Sequence, residues 1–273
     1  MSGRLRSNVD VDVDDTVVQY WPGSGPVQNL AKAATAVALT PTHVAAIVSE
    51  AGEGTGSLNG DVDATDGVVA VRSVSGGAWT NVGQAADRLL ACGSVFAFLT
   101  PEAAQNATSL NGDGDALDHV VQIYVPATST LINLGQAATD IACNDKIVVF
   151  RTSEVEQGET DLLVGSGTVP GYAPTFVMQG YDLGRPECLT PGHPADCLAN
   201  SHRSASVCDL EACDPRVPYK LIGSSAKFIA SECDQRGTFS DVNWRDRRTP
   251  TSTATSAAAT SCCRSLDVHA RHR

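Results

Sequence analysis

Short apolar runs alternate with polar turns along the first 160 or so residues. Residues 120–125 (Val-Val-Gln-Ile-Tyr-Val) and 147–150 (Ile-Val-Val-Phe) are β-branched and aromatic, which is typical of strands. Both runs are shorter than the roughly 10 residues that a buried helix needs. Asn144-Asp145 lies between two such runs and suits the two-residue turn of a hairpin. The pattern therefore predicts an all-β chain of short strands joined by tight turns.

Three landmarks recur at a nearly constant spacing. Acidic segments start at Asn8, Asn59 and Asn111, which are 51 and 52 residues apart. Segments that end in Ala-Ala start at Asn29, Asn81 and Asn133, each 52 residues from the next. An apolar segment precedes the second and third acidic segments and follows the third. A repeat of about 20–50 residues indicates a solenoid, propeller or array, and three or four strands per repeat fit a propeller blade. We therefore expect a partial β-propeller of three- to four-stranded blades.

The acidic segments place oxygen ligands at alternate positions, which suits a hard cation that takes 6–8 oxygens. The candidate calcium ligands are Asn8, Asp10, Asp12 and Asp15; Asn59, Asp61, Asp63 and Asp66; and Asn111, Asp113, Asp115 and Asp118. Histidine and cysteine do not occupy these positions, which argues against zinc or copper. In the fourth repeat Gly158 replaces the third ligand, so metal binding is not expected there.

Two alternatives to a propeller calcium loop need to be weighed. An EF-hand is excluded because Gln19, Ala70 and Gln122 stand where its bidentate glutamate belongs, and a strand rather than a helix follows. Ordinary solvated turns remain open, since Asn, Asp and Gly suit turns without an ion. Ten aspartates crowded into three short segments repel one another, however, and a divalent cation would relieve that repulsion. His119 adjoins the third segment and is interpreted as a surface residue.

Two known kinds of repeat resemble these segments. The apolar strand at 147–154, the acidic loop and the strand at 120–128 are similar to the blades of TolB-like propellers. The Asn-Gly-Asp-Gly-Asp loop before a Val-Val strand resembles calcium-binding FG-GAP repeats, with one extra residue before the last aspartate. The resemblance spans residues 8–164. It implies a propeller fold and bound Ca²⁺, and it fixes no single activity.

The nine cysteines are unevenly distributed. Clustering in a polar, proline-rich stretch favours two local disulfides, Cys188–Cys197 and Cys208–Cys213, although four cysteines permit three pairings. A zinc site that combines them with His193 or His202 is the functional alternative. Cys92 and Cys143 occupy equivalent repeat positions after apolar residues, and we expect buried free thiols there.

The organisation predicted from these patterns has four parts. They are propeller repeats with acidic loops at 1–170, a cysteine-rich loop insertion at 171–219, a returning blade strand at 220–243 and a low-complexity disordered tail at 244–273. The acidic motif starts again at Asp241 and is lost after Asn243, so one hypothesis is a slip of reading frame at that point. We also expect the chain to be part of a longer protein that supplies the missing blades.

Charge and composition argue against two classes of function, nucleic-acid binding and membrane insertion. A formal charge of −12 disfavours nucleic acid as a partner, and no run reaches the roughly 18 apolar residues that membrane insertion needs. The disulfides predict an extracellular or periplasmic location, although no signal peptide opens the sequence. The expected function is a calcium-binding binding or scaffold module for an unidentified protein or carbohydrate. The alternative is part of a propeller hydrolase or lyase whose site is built from several blades.

Overall fold

The computed structural model describes residues 15–158, 162, 176–192, 197–204, 219–231 and 261–267. The strands are β1 Val17–Tyr20, β2 Gln28–Leu39, β3 His43–Ser49, β4 Gly67–Ser73, β5 Thr80–Ala85, β6 Arg88–Cys92, β7 Val95–Pro101, β8 His119–Val125, β9 Thr130–Ala137, β10 Asp140–Cys143, β11 Ile147–Ser153, β12 Phe176–Asp182, β13 Leu198–Ser204, β14 Tyr219–Ile222, β15 Ser225–Ser231 and β16 Ser261–Asp267. Helix α1 spans Glu50–Glu53, and a 3-10 helix spans Pro186–Leu189. The prediction of an all-β chain is confirmed.

The strands form antiparallel sheets in which neighbours along the chain are neighbours in the sheet. The first sheet runs β1-β2-β3-β4-β5, the second β6-β7-β8-β9, the third β10-β11-β12-β13 and the fourth β14-β15-β16. Every pairing within these sheets is antiparallel. Such meanders need only tight turns between strands, as the short polar segments of the sequence indicate.

The second and third sheets bury both of their faces against neighbouring sheets. Phe96 and Phe98 of β7 pack with residues of the first sheet, whereas Val95 and Leu99 of the same strand pack with residues of the third. All the β11 residues are buried. A strand covered on both sides needs apolar residues at consecutive positions instead of alternating ones, which explains the continuous runs in the sequence.

Strand β2 is the longest in the described part of the chain and belongs to two pairings. Its first half pairs with β1 and its second half with β3, with a register shift between Ala34 and Ala36. The corresponding stretch of the next repeat is divided between β5, which ends at Ala85, and β6, which begins at Arg88. A single strand, β2, therefore occupies the stretch that the next repeat divides between two strands in two different sheets.

Two expectations about chain organisation differ from the structure. The stretch expected to be a cysteine-rich insertion contains β12 and β13, which complete the third sheet. Residues 261–267, in the expected disordered tail, form β16 and pair with β15. Strand pairing uses backbone groups that every residue other than proline supplies, so composition alone did not reveal these strands. None of the helices in the described ranges is long and apolar enough to cross a membrane.

Candidate metal centre

Two acidic loops share the same three hydrogen bonds from an Asn or Asp side chain to the backbone amide two residues on. We call residues 57–66 loop B and residues 109–118 loop C. In loop B, Asn59 Oδ1 accepts from the Asp61 amide at 3.2 Å, and Asp61 Oδ1 accepts from the Asp63 amide at 3.2 Å. Asp63 Oδ1 accepts from the Thr65 amide at 3.0 Å. Each side chain thus binds the backbone two residues on, as Asx turns do, and the chain curls around its own carboxylates.

Loop C reproduces this sequence of turns. Asn111 Oδ1 accepts from the Asp113 amide at 3.1 Å, and Asp113 Oδ1 from the Asp115 amide at 3.1 Å. Asp115 Oδ1 then accepts from the Leu117 amide at 2.9 Å. The spacing of alternate acidic residues is therefore the spacing that this curled backbone requires.

The turns bring carboxylates from each loop together. One carboxylate oxygen from each of Asp61, Asp63, Asp66 and Glu50 lies within 4.8 Å of the others, and so do those of Asp113, Asp115, Asp118 and Glu102. Oxygens on opposite sides of one Ca²⁺ are at most about 5 Å apart, because Ca–O bonds are about 2.3–2.6 Å. The donor set fits Ca²⁺ in size and in oxygen chemistry.

Glu50 and Glu102 were not among the candidates from the sequence. Glu50 is fully buried; its Oε1 accepts from the amides of Leu58 and Asn59, and its Oε2 accepts from the Asp66 amide at 3.0 Å. The carboxylate therefore joins the two ends of loop B. A glutamate recurs every 52 residues, at positions 50, 102 and 154, which is the signal that could have revealed it.

Glu102 holds loop C through the same three contacts. Its Oε1 accepts from the amides of Leu110 and Asn111, and its Oε2 accepts from the Asp118 amide at 3.3 Å. Glu154 Oε1 accepts from the Leu162 amide at 3.2 Å. These glutamates position the loops by binding backbone amides.

The first asparagine of each loop reaches the neighbouring repeat. Asn59 Nδ2 donates to Asp61 Oδ2 at 3.2 Å, to Asp66 Oδ2 at 3.1 Å and to the Ala104 carbonyl at 2.7 Å. Asn111 Nδ2 donates to Asp118 Oδ2 at 2.9 Å and to the Glu156 carbonyl at 2.8 Å. The amide nitrogen, rather than the oxygen, faces the carboxylates in this structure.

Crowding separates the pKa values of the aspartates. Burial, together with neighbouring Asp61 and Asp63, raises the pKa of Asp66 to about 6. Burial, together with Asp113 and Glu102, raises the pKa of Asp118 to about 7. Desolvation also acts on Asp61, but hydrogen bonds from Asn59 and the Asp63 amide outweigh it and lower its pKa. A cation would favour the ionised form of Asp66 and Asp118.

A small cavity of about 250 Å³ adjoins loop C. His119 lines it and, instead of standing free on the surface, its Nε2 lies 2.8 Å from Asp87 Oδ2. That hydrogen bond raises the pKa of His119, and burial raises the pKa of Glu156, which also lines the cavity. The imidazole is therefore paired with Asp87, which lies outside loop C.

The other candidate ligands are less completely described. Asn8, Asp10 and Asp12 lie outside the described residues. Asp15 is described, and its Oδ1 would lie 2.7 Å from a Cβ at Gly52. Gly158, with a φ of +67°, lies against loop C, where a Cβ would come within 2.9 Å of the Asp113 Cβ.

Two disulfides are present among the described cysteines. Cys188–Cys197 is confirmed. The expectation of free thiols at Cys92 and Cys143 is wrong, because these residues form a disulfide. Equivalent positions on β6 and β10 face each other across adjacent sheets, so the repeat itself brings the two sulfurs together. Cys208, Cys213 and His193 lie outside the described residues. The two disulfides indicate an oxidising compartment.

The fold and site define the chain as an all-β protein of stacked antiparallel sheets with paired acidic loops. Neither a protein family nor a curated protein matches it. Among solved structures it is similar to the Pyrococcus horikoshii acylaminoacyl peptidase in an orthorhombic crystal form, with 10% identity and a TM-score of 0.40. The uncomplexed form of that peptidase gives 10% identity and a TM-score of 0.37. The alignments cover 72% of this chain and 28% of each peptidase chain.

Proposed function

We propose that this chain is the calcium-binding part of an extracellular or periplasmic β-propeller, related to TolB-like and FG-GAP-like repeats, that acts as a binding or scaffold module. One observation carries the proposal: loops B and C, in successive repeats, gather carboxylate oxygens within the diameter of one Ca²⁺ shell. The two loops do so with equivalent residues and equivalent backbone contacts.

The stacked sheets support the propeller part of the proposal. The second and third sheets are four-stranded antiparallel meanders, and the first has the same arrangement with β1 as an additional strand. Burial on both faces is what neighbouring blades around a common axis would produce. The Cys92–Cys143 disulfide would then join adjacent blades, and the loops would lie at the blade ends, where partner proteins or carbohydrates are commonly bound.

Calcium should therefore stabilise the protein. At about 1 mM Ca²⁺ and a Kd of about 10⁻⁴ M, one site contributes about 1.4 kcal/mol and two contribute about 3 kcal/mol. We expect the melting temperature to fall in a chelator and to recover with Ca²⁺ more than with Mg²⁺, which demands a tighter octahedral shell. Calorimetric titration of chelated protein gives the number of sites directly.

A matched pair of variants locates the sites. Asp115→Asn should weaken the loop C site, whereas Asp145→Asn changes an exposed aspartate outside both loops and should leave the titration unchanged. Folded wild-type protein whose melting curve is the same with and without chelator would show that loops B and C are ordinary acidic turns.

A further inference from the structure

The short turn between β7 and loop C contacts three separate parts of the molecule. We call residues 102–105 turn C. Glu102 binds the backbone of loop C, and the Ala104 carbonyl accepts from Asn59 of loop B at 2.7 Å. The Gln105 side chain accepts from the Ala85 amide at 2.7 Å and donates to the Gly83 carbonyl at 3.2 Å, both in β5.

The same three contacts recur in the turn after β11. We call residues 154–157 turn D. Glu154 accepts from the Leu162 amide at 3.2 Å, and the Glu156 carbonyl accepts from Asn111 of loop C at 2.8 Å. Gln157 accepts from the Ala137 amide at 2.8 Å and donates to the Gly135 carbonyl at 3.1 Å in β9. Each turn therefore binds the loop before it through a carbonyl and the loop after it through a carboxylate.

Turn C is too short to respond to its two loops independently. Ala104 is two residues from Glu102, and the Gln105 amide donates to the Glu102 carbonyl at 3.0 Å. Glu102 is fully buried, so amides of loop C that lose it cannot easily exchange it for water. A shift of Ala104 that follows the loss of Asn59 must therefore also shift the carboxylate that holds loop C.

We infer that turn C couples loop B to loop C, so that order in one loop favours order in the other. The coupling acts through hydrogen bonds and is present without an ion. If the proposed calcium sites exist, occupancy of loop B raises the affinity of loop C, and by linkage occupancy of loop C raises the affinity of loop B by the same factor. That second statement rests on the proposed function, whereas the first does not.

Amide hydrogen exchange in the presence of a chelator tests the coupling directly. Asn59→Ser gives a side chain too short to reach the Ala104 carbonyl. We expect exchange at Leu110, Asn111 and Asp118, whose amides Glu102 binds, to become about fivefold faster. Thr65→Ala is the matched control. It removes a 2.7 Å hydrogen bond to Asp63 within loop B and leaves turn C intact, so exchange in loop C should not change.

Unchanged exchange at these loop C amides in Asn59→Ser, with faster exchange in loop B, would overturn the inference. Protection of β11 amides shows whether the variant has folded. If it has not, Asn59→Asp keeps the length of the side chain and replaces the donor by an acceptor oxygen, which also adds a negative charge beside Asp61 and Asp66. Calcium titration of the wild-type protein is the second measurement, and positive cooperativity between two sites is expected. Absence of calcium binding would refute the proposed function and leave the exchange result to decide the coupling.

Discussion

One glutamate in each repeat accounts for much of the order in the acidic loop that follows it. Glu102 binds amides that lie 8, 9 and 16 residues further along the chain. The alternating aspartates of loops B and C could be predicted from the sequence because Asx turns involve residues two apart. The recurrence of a glutamate every 52 residues marks its position, but the amides that it binds could not be predicted, since they depend on how the loop closes in three dimensions.

Replacing Glu102 with glutamine should destabilise the protein. The amide keeps one acceptor oxygen but presents its NH₂ group to a backbone donor, so at least one buried amide loses its partner, at a cost of about 1–3 kcal/mol. Glu156→Gln is the matched control, because loop C contacts the carbonyl and not the carboxylate of Glu156. Chemical denaturation of both variants in chelator measures the difference, and equal stability of the two would contradict this role of Glu102.

Chelated protein should lose stability as the pH rises from about 4 to about 7. The folded-state pKa of Asp118 is about 7 and that of Asp66 is about 6, both above the usual value for an unfolded chain of about 3.9. Between these values the folded state binds more protons than the unfolded state, so the free energy of unfolding falls with rising pH. The raised pKa of His119 acts in the same direction. Melting temperatures across this range should flatten in Asp118→Asn, and a dependence as steep as in the wild-type protein would contradict the assignment.

Sheets and their connections follow from the sequence only in part. The runs at 120–125 and 147–150 were recognisable as strands because both of their faces are buried and their apolar residues are continuous. The Cys92–Cys143 disulfide was not predicted, because equal repeat positions establish equivalence and not contact. Strands β12 and β13 were not predicted because the sequence around them is polar and rich in cysteine, although most of β12 is buried.

The disulfide between β6 and β10 should contribute more stability than the local one. It closes a loop with a sequence separation of 51, whereas Cys188–Cys197 closes one of 9. Chain-entropy arguments give upper values of about 4 and about 2.6 kcal/mol. Replacing both cysteines of each pair by serine and comparing urea midpoints measures this order. A larger loss from the Cys188 and Cys197 pair would contradict it.

At the scale of the whole molecule, the second and third sheets depend on their neighbours for the burial of both faces, whereas the first sheet also has a cluster of its own around Ala46. The second sheet packs on the first through Phe98 and on the third through Leu99. No described sheet between the first and the fourth has a core of its own that is separate from these shared clusters. We expect the first three sheets to unfold as one cooperative unit, because the first sheet shares a second cluster, which contains Ile47 and Phe98, with the second sheet.

Leu99→Ala, a change in the second sheet, tests whether the first sheet unfolds together with it. The side chain is 3% exposed, and its removal should cost about 2–5 kcal/mol. Trp79 reports on the first sheet, where its indole donates to the Leu30 carbonyl at 2.9 Å. With Trp21 and Trp244 replaced by phenylalanine, the Trp79 fluorescence midpoint should shift as far as the circular dichroism midpoint. A Trp79 transition that does not move would show that the sheets unfold independently.

The contact between Lys32 and Glu53 gives the junction of α1 and β2 a response to ionic strength that the equivalent contacts of Gln105 and Gln157 do not have. Glu53 Oε1 accepts from the Ala33 amide at 2.8 Å, as Gln105 and Gln157 accept from the equivalent amides of β5 and β9, but its other oxygen is paired with the ammonium group of Lys32. The contacts of the neutral glutamine amides involve no net charge, whereas added electrolyte weakens this ion pair, although less than it would an exposed pair because the groups are partly buried. In a medium of rising salinity, the contact between α1 and β2 would weaken while its equivalents in the next two repeats would stay unchanged.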